Sequence, residues 1–247
     1  MINFKMKRGY LFFITVLIFM LHLPFAFARS NEFSINKPAV ITTTATSAMS
    51  SMLVLYDSLQ LNVKGLSLSA YQNAVKGYEY LKAKGKISNE SVISIIDFTK
   101  SSTQKRLFVI DLMNKKILFN TYVAHGQNSG QEYANRFSNR PESFESSLGF
   151  YKTEGTYLGK NGFSLHLSGL ESGINDRADE RAIVMHGANY VSENFIRSNG
   201  YLGRSWGCPA VPEALSRPII EKIKNGSCLF IFGKDKNYLN YSKILNS

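Results

Sequence analysis

The sequence predicts a mainly β domain with short helices, preceded by a small helical segment. Three observations favour this fold class. Of the 247 residues, 44% are hydrophobic and 19% are charged, a balance typical of globular proteins. Beyond about residue 90, short runs rich in β-branched and aromatic residues alternate with turn residues. Two stretches with the apolar spacing of helices precede these runs, between residues 51 and 85.

The N-terminus has the pattern of a secretory signal peptide. Three basic residues stand near the start: Lys5, Lys7 and Arg8. An apolar run over residues 10–23 follows, shorter than the roughly 20 residues that a spanning helix needs, and small residues at 26 and 28 end the segment. We expect residues 1–28 to be a signal peptide that is cleaved after Ala28. The alternative is that the segment stays uncleaved as an N-terminal anchor, which would then be the protein's only contact with the membrane. In both cases the remainder of the chain is exported.

Residues 29–90 are expected to form a polar leader followed by the small helical segment. Residues 29–50 are rich in Ser and Thr and predict a loose leader. Apolar periodicity predicts a short helix over residues 51–61. A second helix is marked by a capping box of Ser69 and Gln72 and by Gly85 at its end. This segment is either a separate lobe or an arm that packs on the domain that follows.

The predicted catalytic domain covers residues 91–247 and is composed mainly of strands. The turn over residues 113–116 predicts a hairpin between two of them. A helix is expected over residues 218–224, opening with Pro218 and closing at residues 225–226. The predicted strands are residues 92–98, 106–112, 117–124, 150–157, 162–167, 182–186 and 227–232.

Composition excludes several classes of protein. The only cysteines are Cys208 and Cys228, too few for a disulfide framework or a Cys-rich zinc module. Lys and Arg number 29 against 18 Asp and Glu, giving a formal net charge of +11. This charge would suit an anionic envelope surface, but the basic residues are scattered, so we expect no nucleic-acid partner.

Two Gly-flanked segments hold residue types suited to nucleophilic chemistry. An apolar strand delivers His186 and then Gly187, and a turn over residues 203–211 holds Cys208. A thiol with a pKa near 8.5 is only about 3% ionised at pH 7, so an adjacent imidazole that takes its proton raises its reactivity. Gly207 allows the backbone to bend so that amide N–H groups can face a developing oxyanion. The pair therefore indicates a thiol acyl-transfer site.

These segments resemble a known family. His186-Gly187 and Ser205-Trp206-Gly207-Cys208 are similar to the His-Gly and Ser-x-Gly-Cys signature of YkuD-type L,D-transpeptidases, which cross-link peptidoglycan. The wider run resembles the murein L,D-transpeptidase catalytic domain family. That run comprises residues 123–126, 146–149 and 207–210, and the resemblance extends over about residues 95–233.

The resemblance implies a β-sandwich-like catalytic fold that needs no cofactor. It implies that Cys208 is the nucleophile, that His186 is the base, and that the Gly187 carbonyl orients the imidazole ring. The turn formed by Ser205, Trp206 and Gly207 would supply oxyanion and substrate contacts.

The sequence departs from the family pattern at two points. Many members have Ile or Leu and then Arg or Asn directly after the cysteine, where this chain has Pro209 and Ala210. A basic contact to substrate must then come from elsewhere, with Arg204 and Arg181 as candidates. The 22-residue spacing from histidine to cysteine is also longer than usual, which suggests an additional substrate wall.

Several residues keep alternative interpretations. Cys208 could form a disulfide with Cys228, or Cys228 could be a buried strand residue. His125 is a candidate to line the substrate pocket, with a structural role as the alternative, and His166 fits a surface or sheet position. Trp206 could stack on substrate or anchor its loop. The histidines and Cys208 have zinc-ligating side chains but lack short ligand spacing, so we expect no metal.

The function implied is that of a periplasmic or otherwise exported peptidoglycan L,D-transpeptidase. The cysteine would form a thioester with a tetrapeptide stem and pass it to an amine acceptor. The alternatives are an L,D-carboxypeptidase and a catalytically silent wall-binding module of the same fold. A papain-like peptidase is disfavoured because its cysteine usually precedes its histidine in the chain, whereas His186 precedes Cys208 here.

Overall fold

Strands dominate the architecture. The computed structural model describes residues 50–247, so the predicted signal peptide and most of the leader, residues 1–49, lie outside the described residues. The strands are β1 (Val92–Asp97), β2 (Leu107–Asp111), β3 (Lys116–Thr121), β4 (Gly149–Gly159), β5 (Gly162–Gly169), β6 (Val184–Ala188), β7 (Ala210–Pro212) and β8 (Cys228–Phe232). They form an eight-stranded sheet in the order β3-β2-β1-β8-β4-β5-β6-β7. The mainly β prediction is therefore confirmed.

Short helices surround the sheet. Residues 50–58 are helical and are called α1. The others are α2 (Leu68–Ala83), α3 (Glu193–Asn199), α4 (Glu213–Ile223) and α5 (Lys236–Tyr241), with a 3-10 turn at Gln127–Ser129. None of these described helices combines the length and the hydropathy that a membrane crossing requires.

The centre of the sheet is the parallel pair β1 and β8. Every residue of both strands is buried, which is why their sequences are mostly apolar rather than alternating, with Ser94 and Asp97 of β1 as the polar exceptions. Ile93 pairs with Cys228 at the start of the register. β2 and β4 flank this pair in antiparallel orientation. Cys228 is thus a buried strand residue, and both cysteines are free thiols.

Helix α2 packs against this central pair of strands. Its N-cap is Ser67, whose hydroxyl accepts a hydrogen bond from the Ala70 N–H over 3.2 Å. The predicted cap at Ser69 is wrong, because Ser69 already lies inside the helix. One helical face buries Tyr71 and Tyr78 in the hydrophobic core that the strands form. The helix is therefore an arm that packs on the sheet, and the described residues belong to one compact unit.

Several predicted boundaries differ from the structure. Helix α4 begins at Glu213 and contains Pro218, where the sequence predicted a start. A proline six residues into a helix removes one backbone hydrogen bond, and burial of Ile219, Ile220 and Ile223 offsets that loss. Strand β3 ends at Thr121, three residues before the predicted end. Strand β6 continues two residues beyond His186.

Candidate active site

Parallel pairing of β6 and β7 brings the two motif segments together. His186 pairs with Ala210 in this register. Two residues before each of these positions, Val184 lies beside Cys208. The Val184 N–H points to Cys208 Sγ at 3.5 Å. The 21 residues between His186 and Cys208, which include α3, therefore leave β6 and return to pair along its edge.

Cys208 and His186 line one groove of about 420 Å³. The thiol of Cys208 is half-buried and the His186 ring is buried. Trp206 stands at the groove with 69% of its surface exposed and contacts Phe144 at a ring separation of 5.6 Å. An exposed indole beside a partly buried thiol leaves apolar surface available to a ligand.

The His186 ring is held in one tautomer. Its Nδ1 lies 2.9 Å from the Gly187 carbonyl oxygen, and a carbonyl can only accept, so Nδ1 carries the proton and Nε2 carries the lone pair. Burial lowers the pKa of His186 below its usual 6.5, partly opposed by this hydrogen bond. The neutral ring is thus the resting form near pH 7, with Nε2 able to accept a proton.

The Cys208 thiol also rests in its neutral form. Burial raises the pKa of Cys208, while the Val184 N–H, the Arg181 charge and the N–H of Cys208 itself oppose the rise. The sulfur lies 3.8 Å from the Ala182 carbonyl, to which S–H donates. Within residues 50–247, no hydrogen bond joins this sulfur to His186. The resting pair is therefore neutral thiol and neutral imidazole rather than a preformed ion pair.

Ser205 organises the turn before the cysteine. Its hydroxyl donates to the Cys208 carbonyl over 2.6 Å and accepts from the Gly207 N–H over 3.1 Å. The Gly207 N–H is therefore occupied within the turn. The Cys208 N–H and the Val184 N–H face the sulfur instead.

Gly207 is required by its conformation and its surroundings. Its φ of +124° lies in the region that side chains rarely adopt. A Cβ there would come within 2.9 Å of the Glu145 carbonyl oxygen. The Gly207 carbonyl also accepts a hydrogen bond from Ser146 Oγ over 3.1 Å. The turn is thus fixed against the segment around residues 143–147.

His125 lies behind the groove rather than in it. The side chain is buried, Nδ1 accepts from Arg106 Nη2 over 2.7 Å, and Nε2 donates to the Gly130 carbonyl over 3.1 Å. Its backbone carbonyl accepts the Ser205 N–H over 3.0 Å. The expected substrate contact from His125 is corrected, because both ring nitrogens are used inside the protein. His125 thus stabilises the turn that carries Cys208 through its backbone carbonyl.

The two candidate arginines differ in their surroundings. Arg204 lines the groove, donates to the Gly130 carbonyl over 3.3 Å and lies over the Tyr201 ring at 5.5 Å. These contacts leave part of its guanidinium free. Arg181 lines the same groove but directs its terminal nitrogens into the neighbouring loop.

Sequence reasoning missed the groove walls that come from distant elements. The tip of the β4–β5 hairpin contributes Tyr157 and Lys160, and the segment after β6 contributes Tyr190. Burial raises the pKa of Tyr190 to about 12. His166 is exposed on β5 and stacks on Tyr157 at 4.5 Å. A two-residue turn between β-prone runs was the available signal for this hairpin.

No metal centre is formed by the part of the chain that the structure describes. In residues 50–247, no three His, Cys, Asp or Glu side chains stand close enough together to hold an ion.

Comparisons with known proteins give one family match and several likenesses to solved structures. The family model described as L,D-transpeptidase catalytic domain matches residues 62–232. Among solved structures, an L,D-transpeptidase from Mycobacterium smegmatis is similar at 11% identity and a TM-score of 0.36, covering 58% of this chain and 59% of that one. An L,D-transpeptidase from Stackebrandtia nassauensis is similar at 14% identity and a TM-score of 0.36, covering 68% of each chain. The helical cell shape determining protein of Campylobacter jejuni is similar at 13% identity and a TM-score of 0.39, covering 65% of this chain and 57% of that one.

The present chain spans about three fifths of the length of the Mycobacterium smegmatis protein. No curated protein matches the sequence.

Proposed function

The chain belongs to the L,D-transpeptidase catalytic-domain family, and from this premise we propose that it is a cysteine-dependent L,D-transpeptidase of the cell envelope. The family acts on peptidoglycan stem peptides, so the acyl donor is a tetrapeptide stem. One observation on this chain's own residues supports the proposal. Cys208 and His186 line one groove, and the lone pair of His186 Nε2 is free to accept a proton. The predicted signal peptide is consistent with export.

The first step forms a thioester. Nε2 of His186 takes the thiol proton as the Cys208 sulfur attacks the carbonyl carbon that follows the L-centre of the stem's third residue. The carbon–nitrogen bond to the terminal D-alanine then breaks, and the imidazolium returns the proton to the leaving amine. The products are the acyl-enzyme thioester and free D-alanine. Because the pair starts neutral, the sulfur has to turn from the Ala182 carbonyl toward the imidazole as substrate enters.

The tetrahedral intermediate requires donors for its oxyanion. The N–H groups of Cys208 and Val184 both face the sulfur, where the attacked carbonyl would lie. We assign the oxyanion site to these two groups in place of the Gly207 N–H. Donors of this kind typically contribute about 2.7–4 kcal/mol each in acyl-transfer enzymes.

The second step transfers the acyl group. An amine from a neighbouring stem attacks the thioester, His186 takes a proton from that amine, and the sulfur leaves as the thiol that regenerates Cys208. Water at roughly 55 M competes for the same thioester, so a transferase must hold its amine at a large effective molarity, of the order of 10⁵ M in well-positioned reactions. Attack by water instead gives the L,D-carboxypeptidase reaction.

The test uses purified protein, muropeptide tetrapeptides and mass spectrometry of the products. We expect cross-linked or amine-exchanged products together with released D-alanine. Cys208→Ala and His186→Ala should each lower turnover by at least about 10³-fold. Cys228→Ala is the matched control, because Cys228 is buried in β8 away from the groove, and it should retain activity. A carbapenem should add its mass to the wild type and to Cys208-containing variants, but not to Cys208→Ala.

Three outcomes would contradict the proposal. Turnover that survives Cys208→Ala would remove the nucleophile. Products that contain only the trimmed tripeptide would favour the carboxypeptidase. Sacculus binding that is equal in wild type and Cys208→Ala, without any change in muropeptides, would indicate the silent wall-binding module.

A further inference from the structure

Arg181 is bound into the loop over residues 138–147 through its terminal nitrogens. Nη1 donates to the Ser138 carbonyl over 2.6 Å and to the Ser147 hydroxyl. Nη2 donates to the Glu145 carbonyl over 2.6 Å and to the Ser143 hydroxyl over 3.2 Å. All four terminal N–H groups are therefore used by the protein. A guanidinium in this condition has no terminal donor to offer to a substrate carboxylate.

This immobilised cation lies beside the cysteine turn. Arg181 lines the same groove as Cys208, and a Cβ on Gly207 would come within 3.2 Å of Arg181 Nη2. Within the described chain, Arg181 forms no salt bridge. The nearby Glu145 carboxylate pairs with Arg136 at 3.6 Å and acts on Arg181 only through its charge. The Arg181 guanidinium therefore has no contacting carboxylate next to the turn that carries the thiol.

Other titratable groups also face the thiol across the groove. They are Tyr157, Lys160, His186, Tyr190 and Arg204, and no carboxylate is among the groove-lining residues. His186 rests neutral, and Tyr190 is uncharged below its raised pKa of about 12. Lys160 is exposed at the hairpin tip, where salt and water screen its charge. The Arg181 charge lowers the pKa of Cys208, against the rise that burial causes.

We propose that Arg181 is a positioning residue of this site, whose loop-bound guanidinium stabilises the anionic sulfur of Cys208 and fixes the 138–147 loop against the Gly207 turn. This assignment replaces the expectation that Arg181 contacts substrate. It rests on the proposed function only in taking Cys208 as the nucleophile. The stabilisation applies whenever sulfur carries negative charge, both when the thiol ionises and when the thioester collapses.

The experiment measures alkylation of the native protein by iodoacetamide as a function of pH. Iodoacetamide forms a carbon–sulfur bond with the thiolate and releases iodide, so the rate reports the ionised fraction of the thiol. Cys228 is buried, so intact-mass spectra should show one adduct, on Cys208. Arg181→Gln removes the charge, and Arg181→Lys keeps it. Arg177→Gln is the matched control, because that arginine is exposed and pairs with Glu180 away from the groove.

We expect Arg181→Gln to raise the apparent pKa of alkylation by about one unit, which is about tenfold slower modification at pH 7. Arg181→Lys and Arg177→Gln should stay within about twofold of wild type. A wild-type profile for folded Arg181→Gln would overturn the proposal. If that variant does not fold, a tenfold loss in folded Arg181→Lys would overturn it equally, because the charge is retained there. Alkylation needs no peptidoglycan, so this result is independent of whether the transpeptidase assay succeeds.

Discussion

Arg106 donates a hydrogen bond to Nδ1 of His125 over 2.7 Å in a site where both side chains are buried. The guanidinium also donates to the Val123 and Lys100 carbonyls and lies over the Phe98 ring at 4.8 Å. Burial, and then the Arg106 charge, lower the pKa of His125 to about 3. His125 therefore stays neutral in the folded protein under conditions where it ionises in the unfolded chain.

This difference in protonation predicts acid sensitivity. The unfolded chain binds a proton on His125 below pH 6.5 and the folded chain does not until about pH 3, so stability is complete above pH 6.5 and falls as the pH falls through this window. Between pH 7 and pH 5 the loss should be about 2 kcal/mol. Urea unfolding at several pH values measures it.

His125→Gln tests the assignment. Glutamine keeps an acceptor for Arg106 and a donor for the Gly130 carbonyl but does not titrate. The variant should be less stable than wild type at pH 7 and should lose most of the slope between pH 7 and pH 5. An unchanged slope would mean that another group causes the acid sensitivity.

The Gly207 turn predicts a cost for any side chain. Gly207→Ala should destabilise the protein by about 1–3 kcal/mol, because an alanine has to adopt a strained φ and its Cβ crowds the Glu145 carbonyl. Each kcal/mol lowers Tm by about 2–4 °C in a domain of this size. Gly155→Ala is the control, since nothing lies within 4 Å of a Cβ at that exposed position. Equal melting temperatures for the two variants would show that the turn relaxes freely.

The neutral resting pair predicts the acid limb of the pH–rate profile. His186 must be unprotonated to accept the thiol proton, and burial lowers its pKa. With a tetrapeptide donor, kcat/KM should therefore fall on acidification with a midpoint below pH 6.5. A midpoint above 6.5 would indicate that the imidazolium is stabilised in the free enzyme, as in a preformed ion pair.

Seven of the eight strands were predictable because their signals are local, whereas the three-residue strand β7 was not predicted. Runs of β-prone residues predicted β1 and β8, and the turn over residues 113–116 predicted the β2–β3 hairpin. Caps and boundaries were less predictable, since Ser67 and Ser69 both precede helix-forming residues and only the fold decides between them. Pro218 was misleading for the same reason, because tertiary burial of its isoleucine neighbours extends α4 around it.

The site divides in the same way. Cys208 and His186 stand in short motifs that the sequence displays directly. The roles of His125 and Arg181 depend on partners that are distant along the chain: Arg106 lies 19 positions before His125, and Ser138 lies 43 positions before Arg181. A single sequence carries no signal for such pairs. The hydrogen bonds of Ser205 were hidden too, because a serine before Gly-Cys can face either ligand or backbone.

The pairing of β1 with β8 has a consequence for how the protein acquires its structure. These strands are separated by about 130 residues of chain, yet they form the middle of the sheet. Contacts so remote in sequence slow folding. In a chain emerging from a ribosome or translocon, β1 can pair with β2, but its other edge has no partner until β8 has also emerged. Until then that edge of β1 stays open to chaperones and proteases. Truncation before Cys228 would leave that edge permanently unpaired and prone to aggregate.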